Sequence, residues 1–270
     1  MKIHTDNSPA FGRIRAEHMF IKIPEYGLDI GWAKHSASIA NRAKDLAQPK
    51  RPFEKLFKFV CDEYNKFFVN HKNGDLFGVI RQDTIPFTYI LDKNQYASYV
   101  DKMVEFLRKK GASGHDMMYG KLSCVSSYST RLSDTKLTTV NMISRKLSAE
   151  EEQMYGRFCV KMRGPASAAI TPVFKEINHI YDRVLRSKNV SETTKNIGKI
   201  HWYLSQLTPC NRGSAATADI TAKALFESKG IQASAWKQGV DPNLEAYIAP
   251  LGKYARNYKN FFEAQPYKIK

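Results

Sequence analysis

The residue types that can do chemistry concentrate between Leu207 and Ile231, which reads Leu-Thr-Pro-Cys-Asn-Arg-Gly-Ser-Ala-Ala-Thr-Ala-Asp before running on as an apolar helix. Pro209 stops one helix, Gly213 frees the backbone at the turn, Ser214 can cap a second helix, and Gly230 closes that helix. The first turn of the second helix holds only Ser214, Ala215, Ala216 and Thr217. Such small side chains leave the unpaired backbone N–H groups of a helix start open to an anion, and the positive end of the helix dipole favours one. Arg212 stands beside this point with a forked pair of donors suited to phosphate or carboxylate. Arg212, Gly213, Ser214, Ala215, Ala216 and Thr217 are therefore the expected phosphate-binding set, with a nucleotide donor such as ATP as the expected ligand. The same residues also fit a plain alternative, in which small side chains let two helices pack closely and Arg212 pairs with an internal carboxylate.

Other residues can join this loop. His201 precedes Thr208 by two helical turns and is the candidate base or ligand-orienting donor, with Thr208 at the rim. Cys210, near Arg212 and a helix start, sits where a thiol becomes more acidic, although nucleophilic work needs a histidine within reach. His179 has Glu176 and Asp182 each three residues away. The Ser/Thr-rich segments 121–131 and 136–144, with Arg131 and Arg145 at strand ends, also suit a nicotinamide-nucleotide site of the ADP-ribosyltransferase kind.

The stretch from Leu207 to Gln232 resembles the Fic motif, the helix-loop-helix of proteins that transfer AMP or related groups from nucleotides. Without gaps, Pro209 and Gly213 fall on the family proline and first glycine, and Gly230 on a glycine often found after the second helix. Thr208 takes the place of the catalytic histidine, Cys210 that of the phenylalanine, Arg212 that of the metal-binding carboxylate and Ser214 that of the asparagine. Ala215, Ala216 and Asp219 replace the second glycine and both arginines. The resemblance implies a nucleotide-dependent transferase of bacterial toxin or effector type that modifies a protein substrate. It also implies a chemistry without the usual base and without magnesium.

The elements that must hold these residues follow from periodicity. From Pro52, the series Phe53, Leu56, Phe57, Val60, Tyr64, Phe67, Phe68 recurs at three and four residues and predicts an amphipathic helix with an aromatic face. Strands are expected at 76–80, 85–91, 121–131 and 136–144, and helices at 95–110 and from the capping box Ser148/Glu151 to about Met162. Further helices start near Pro172, at Ser191 and after Asp241, and Leu251, Tyr254, Tyr258, Phe261 and Phe262 form a last aromatic stripe. The fold class read from this order is α+β: a small antiparallel sheet in the N-terminal half packed against a mainly helical C-terminal half. Residues 1–50 read as an irregular arm, and 51–270 as one domain with a helical lobe from about residue 148.

Composition bounds the functional classes. The chain of 270 residues has 43% hydrophobic residues, enough for a core without metal or disulfide staples. Cys61, Cys124, Cys159 and Cys210 are scattered singly, with no metal-site spacing. No run approaches the roughly 18 apolar residues of a membrane span, and Met1 to Arg15 lacks the apolar core of a secretory signal. The expectation is a soluble protein, cytoplasmic or secreted into a host cytosol. The net charge of +16 is spread evenly, +8 in residues 1–150 and +8 in 151–270. Diffuse basicity points to an acidic protein partner or substrate, with nucleic acid as the other polyanion it fits. A non-catalytic basic binding module is thus the alternative to an enzyme.

Overall fold

The computed structural model describes residues 30–70, 74–82, 88–92, 123–127, 136–143 and 159–269, together with scattered helical positions between 99 and 109. The helices are α1 (Ile30–Ala43), α2 (Phe53–Phe68), α3 (Ile170–Arg186), α4 (Val190–Leu207), α5 (Ser214–Ser228), α6 (Pro242–Ile248) and α7 (Leu251–Asn257). Their boundaries follow local chemistry. Pro52 precedes α2, as the fixed φ of proline favours. The Asn189 side chain accepts the N–H of Glu192 and caps α4, and Asp241 accepts from Asn243 and Leu244 before Pro242 opens α6. Ser191 therefore lies inside α4 rather than capping it.

A four-stranded antiparallel sheet is built from β1 (Thr88–Asp92), β2 (Ser123–Ser127), β3 (Lys136–Ile143) and β4 (Cys159–Arg163) in the order β1-β4-β3-β2. Lys161 of β4 is paired with Ile90 on one side and Asn141 on the other, so β4 lies inside the sheet. A shift of register at Ser126/Ser127 marks a bulge where β2 meets β3. A second, two-stranded antiparallel pair joins β5 (Ile231–Gln232) to β6 (Tyr267–Lys268).

The helical body is built around α4, whose neighbours are α3, α5, α6 and α7, while α1 and α2 pack on α5. The stripe predicted on α2 is the core face: Phe53, Leu56, Phe57 and Val60 are fully buried and Tyr64 nearly so. Phe53 and Phe57 meet Phe174 of α3 edge-on, at 5.8 and 5.4 Å between ring centroids. The C-terminal aromatic stripe also closes the core, with Tyr254, Tyr258 and Phe262 buried.

Mainly helical structure with a small antiparallel sheet is what the structure shows, but the elements are divided differently from the sequence reading. Residues 30–43, assigned to an irregular arm, form α1, whose Trp32, Ala33, Ala37, Ile39, Ala40 and Ala43 are buried. Residues 1–29 lie outside the described residues. The expected strand at 76–80 is instead a 3-10 turn (Gly74–Leu76) followed by isolated bridges from Phe77 and Ile80 to Arg212 and Cys210. Residues 159–162, expected to end a helix, begin β4; the capping box at Ser148 and Glu151 lies outside the described residues, as does much of the helix expected at 95–110. The sheet therefore reaches beyond residue 148, and the N-terminal helices belong to the helical body.

Candidate functional site

The segment 208–213 is a strap laced to residues 76–81. The N–H groups of Asn211 and Arg212 donate to Val79 O at 2.8 Å and Leu76 O at 3.1 Å, while Gly78 and Arg81 N–H donate to Arg212 O at 3.0 Å and Pro209 O at 2.9 Å. Cys210 N–H donates to the Ser214 hydroxyl at 2.9 Å, and that hydroxyl donates back to Cys210 O at 3.1 Å. Three loop amides are thereby spent on protein acceptors. Thr208 ends α4 in the left-handed region at φ 43, and its hydroxyl donates to Leu207 O at 2.8 Å.

Gly213 carries φ +79, and a Cβ built there comes within 2.5 Å of Tyr64 Cε1, so α2 and the start of α5 meet at a position that only glycine fits. Arg212 is exposed, with its guanidinium 5.7 Å from the Phe77 ring centroid. Gly213, Ser214 and Ala215 are part-exposed, whereas Ala216 and Thr217 are buried. Thr217 N–H makes the helical bond to Gly213 O at 2.9 Å, and its hydroxyl donates to Ser214 O at 3.1 Å. The proposed phosphate-binding residues thus form one corner, with Arg212 to Ala215 facing outward and Ala216 and Thr217 turned inward.

His201 is not at that corner's surface. Its side chain is fully buried: Nδ1 shares a 2.6 Å hydrogen bond with the Tyr258 hydroxyl, and Nε2 lies 3.1 Å from Asn243 Oδ1 and 3.4 Å from Asp219 Oδ1. The Ser205 hydroxyl adds a bond to Asn243 Oδ1 at 2.9 Å. Trp236, Tyr254 and Tyr258 pack around the ring. This network ties α4, α5, α6 and the turn at Tyr258 together; the partners come from distant segments, so no local spacing announces it. Burial pushes the Tyr254 and Tyr258 hydroxyls well above the ordinary tyrosine range.

Two buried cations escaped the sequence reading. The Arg81 guanidinium donates to Thr208 O and Pro165 O at 2.8 Å each and to Leu207 O at 3.2 Å, capping the carbonyl end of α4. Lys223 donates to Ser234 O and sits 4.3 Å from the Trp236 ring centroid and 4.6 Å from that of Phe262. The trio around His179 does not converge: Glu176 is buried, while His179 and Asp182 are exposed and Asp182 pairs with Arg186 at 3.5 Å. Cys210 faces Cys61 and Thr217.

On the outer side of α2 lies an open groove of about 380 Å³ lined by Leu46, Arg51, Lys55, Lys58, Phe59 and Asp62. Lys58 is held by both Asp62 oxygens at 2.8 and 2.9 Å, and the remaining lining pairs the basic Arg51 and Lys55 with the apolar Leu46 and Phe59. Among the described residues no cluster of three His, Cys, Asp or Glu side chains is arranged to hold a metal, and no helix is long and apolar enough to cross a membrane.

Residues 92–265, which span the inner sheet strands, α3 to α7 and the strap with its corner, match the family model described as avirulence protein, AvrB/AvrC. The chain belongs to the AvrB/AvrC avirulence-protein family. This is a family of bacterial type III effectors. A further match is Avirulence protein B of Pseudomonas savastanoi pv. glycinea, 25% identical over 100 residues that cover 36% of this chain and 31% of that protein. The matched stretch thus spans about a third of the length of that AvrB relative. Membership in AvrB/AvrC overturns the resemblance to the Fic motif. The coincidence has a physical source: a proline that ends a helix and a glycine in the left-handed region are what any tight helix-loop-helix needs, and Pro209 and Gly213 serve that purpose here.

Proposed function

We propose that this AvrB/AvrC chain is an effector that works in a host cytosol on a host protein, and that Arg212 with the start of α5 is its anion-binding corner. The observation that carries the reading is the family match, which includes the strap and α5. The finer reading is group transfer from a nucleotide donor whose phosphate lies against Arg212, Gly213, Ser214 and Ala215. In its support, the guanidinium is exposed and steadied over Phe77, the neighbouring side chains are small, and the helix dipole adds positive potential. The lacing of the strap to residues 76–81 keeps the corner preorganised, which spares binding the cost of ordering a loop. Ala216, Thr217 and Thr208 then act as supports, and His201 acts by fixing α4 to α5 and α6 rather than by taking a proton at the corner.

Thermal unfolding with and without ATP tests the corner. A rise in melting temperature for the native chain that is missing in Arg212→Ala is the expected result; an equal rise in both removes Arg212 from the site. The effector reading is tested separately by producing the chain inside host cells and recording the host response, and silence there sinks it whatever the nucleotide result.

A second reading is favoured by the groove on α2: a non-catalytic module that docks an acidic protein segment against Arg51 and Lys55, with nucleic acid as the other polyanion. It predicts affinity that falls steeply with salt and is indifferent to Arg212→Ala, whereas salt-insensitive binding removes it.

A further inference from the structure

Cys61 on α2 and Cys210 in the strap lie 149 residues apart in sequence and bring their sulfurs to 3.6 Å. Both are free thiols and both are buried, at 1% and 0% exposure. Cys210 Sγ also lies 3.7 Å from the Thr217 hydroxyl. Closing a disulfide needs the sulfurs to approach to about 2.05 Å, a movement of roughly 1.5 Å from where they stand. The backbones on both sides are already fixed, α2 by its aromatic face and the strap by four hydrogen bonds to residues 76–81. As thiols the two side chains fill the core between α2 and the strap, and the proposed function makes no use of their reactivity.

We propose that Cys61 and Cys210 form a reversible intramolecular disulfide, a modification site that staples the strap carrying Arg212 to α2. The inference stands independently of the effector reading. Cys210 is the attacking sulfur: the hydrogen bond from Cys61, helped by Thr217 and Ser214, favours its thiolate, whereas burial pushes the Cys61 thiol up. The oxidant is hydrogen peroxide, small enough to enter on local opening of the strap. The Cys210 thiolate attacks one peroxide oxygen, the O–O bond breaks, and hydroxide leaves, giving a sulfenic acid. The Cys61 sulfur then displaces the sulfenic oxygen, which departs as water after taking up the thiol proton. In sum, two thiols and one peroxide give one disulfide and two waters, and a thiol reductant reverses the bond by exchange.

The link closes a loop of well over 100 residues, so it constrains the unfolded chain strongly. The experiment treats the full chain with graded hydrogen peroxide, follows intact mass and non-reducing peptide maps, and records melting temperature before and after dithiothreitol. Expected are a loss of two hydrogen atoms in mass, a single cross-linked peptide joining Cys61 to Cys210, and a rise of roughly 5–15 °C in melting temperature that dithiothreitol abolishes. Cys61→Ser and Cys61→Ala should lose the cross-link and the rise together, while the map of the native chain remains decisive if either variant fails to fold. A map that joins Cys61 or Cys210 to Cys124 or Cys159, gain of oxygen without a cross-link, or a cross-link that leaves the melting temperature unchanged overturns the proposal.

Discussion

Arg81 Nε lies 2.8 Å from the carbonyl oxygen of Thr208, and the same buried guanidinium reaches the carbonyls of Pro165 and Leu207. One side chain therefore satisfies the end of α4 and joins it to the segment just after β4. Replacing it by methionine keeps the apolar stem but takes the guanidinium away from the buried Thr208 and Pro165 carbonyls, while Leu207 O keeps the Thr208 hydroxyl. The expected loss is roughly 2–4 kcal/mol of folding stability, since each unsatisfied buried group costs about 1–3 kcal/mol. Urea denaturation followed by circular dichroism measures it, and an unchanged midpoint would show that solvent replaces the guanidinium.

Two glycines of similar conformation separate backbone strain from crowding. Gly213 and Gly239 have φ of +79 and +72, but a Cβ at Gly213 meets Tyr64 at 2.5 Å whereas one at Gly239 meets nothing within 4 Å. Gly239→Ala should cost about 1–2 kcal/mol from the left-handed backbone alone. Gly213→Ala should cost a further 1–3 kcal/mol or so, because the ring or the strap must move. Equal losses in the two variants would mean that Tyr64 swings away freely.

Arg212→Ala should leave stability within about 0.5 kcal/mol of the native chain, as exposed substitutions away from buried contacts usually do. A missing response to ATP in that variant then reports on binding rather than on folding. Paired unfolding curves without ligand check this, and a marked destabilisation would assign the guanidinium a structural role on Phe77.

His35 of α1 stacks on Phe67 with 4.5 Å between ring centroids, and burial lowers its pKa, with the Arg42 charge acting in the same direction. The folded chain consequently takes up this proton less readily than the unfolded one. Stability should be intact above the ordinary histidine range near 6.5, fall as pH drops through it, and level off once folded His35 is also protonated. Urea midpoints measured between about pH 7.5 and 5 should show a shallower slope in His35→Gln than in the native chain. Identical slopes would assign the pH dependence to other groups.

The sequence made α2 legible because its aromatic stripe repeats strictly and Pro52 marks its start; α6 was legible for the similar reason that Asp241 and Pro242 form a local cap. Helix α1 was not, since its buried face is built largely of alanine and serine, whose weak hydrophobic signal competes poorly with neighbouring polar residues. Strand β4 was hidden behind an attractive capping box upstream, a case where a local signal carries no information on how far a helix continues. The corner from Arg212 to Thr217 was legible as a turn and a helix start, because proline, glycine and small residues act locally. Its lacing to residues 76–81, the capping by Arg81 and the burial of His201 beside Asn243 and Tyr258 are pairings across long separations, which no spacing rule reveals.

The match to the family begins at residue 92, at the last position of β1, and so leaves out α1 and α2. Those two helices nevertheless cover α5 and supply the aromatic ring that seats Gly213. A fragment cut at the match's start would therefore lay bare an oily flank, so the shared segment is a portion of a larger folding unit whose remaining wall comes from upstream sequence.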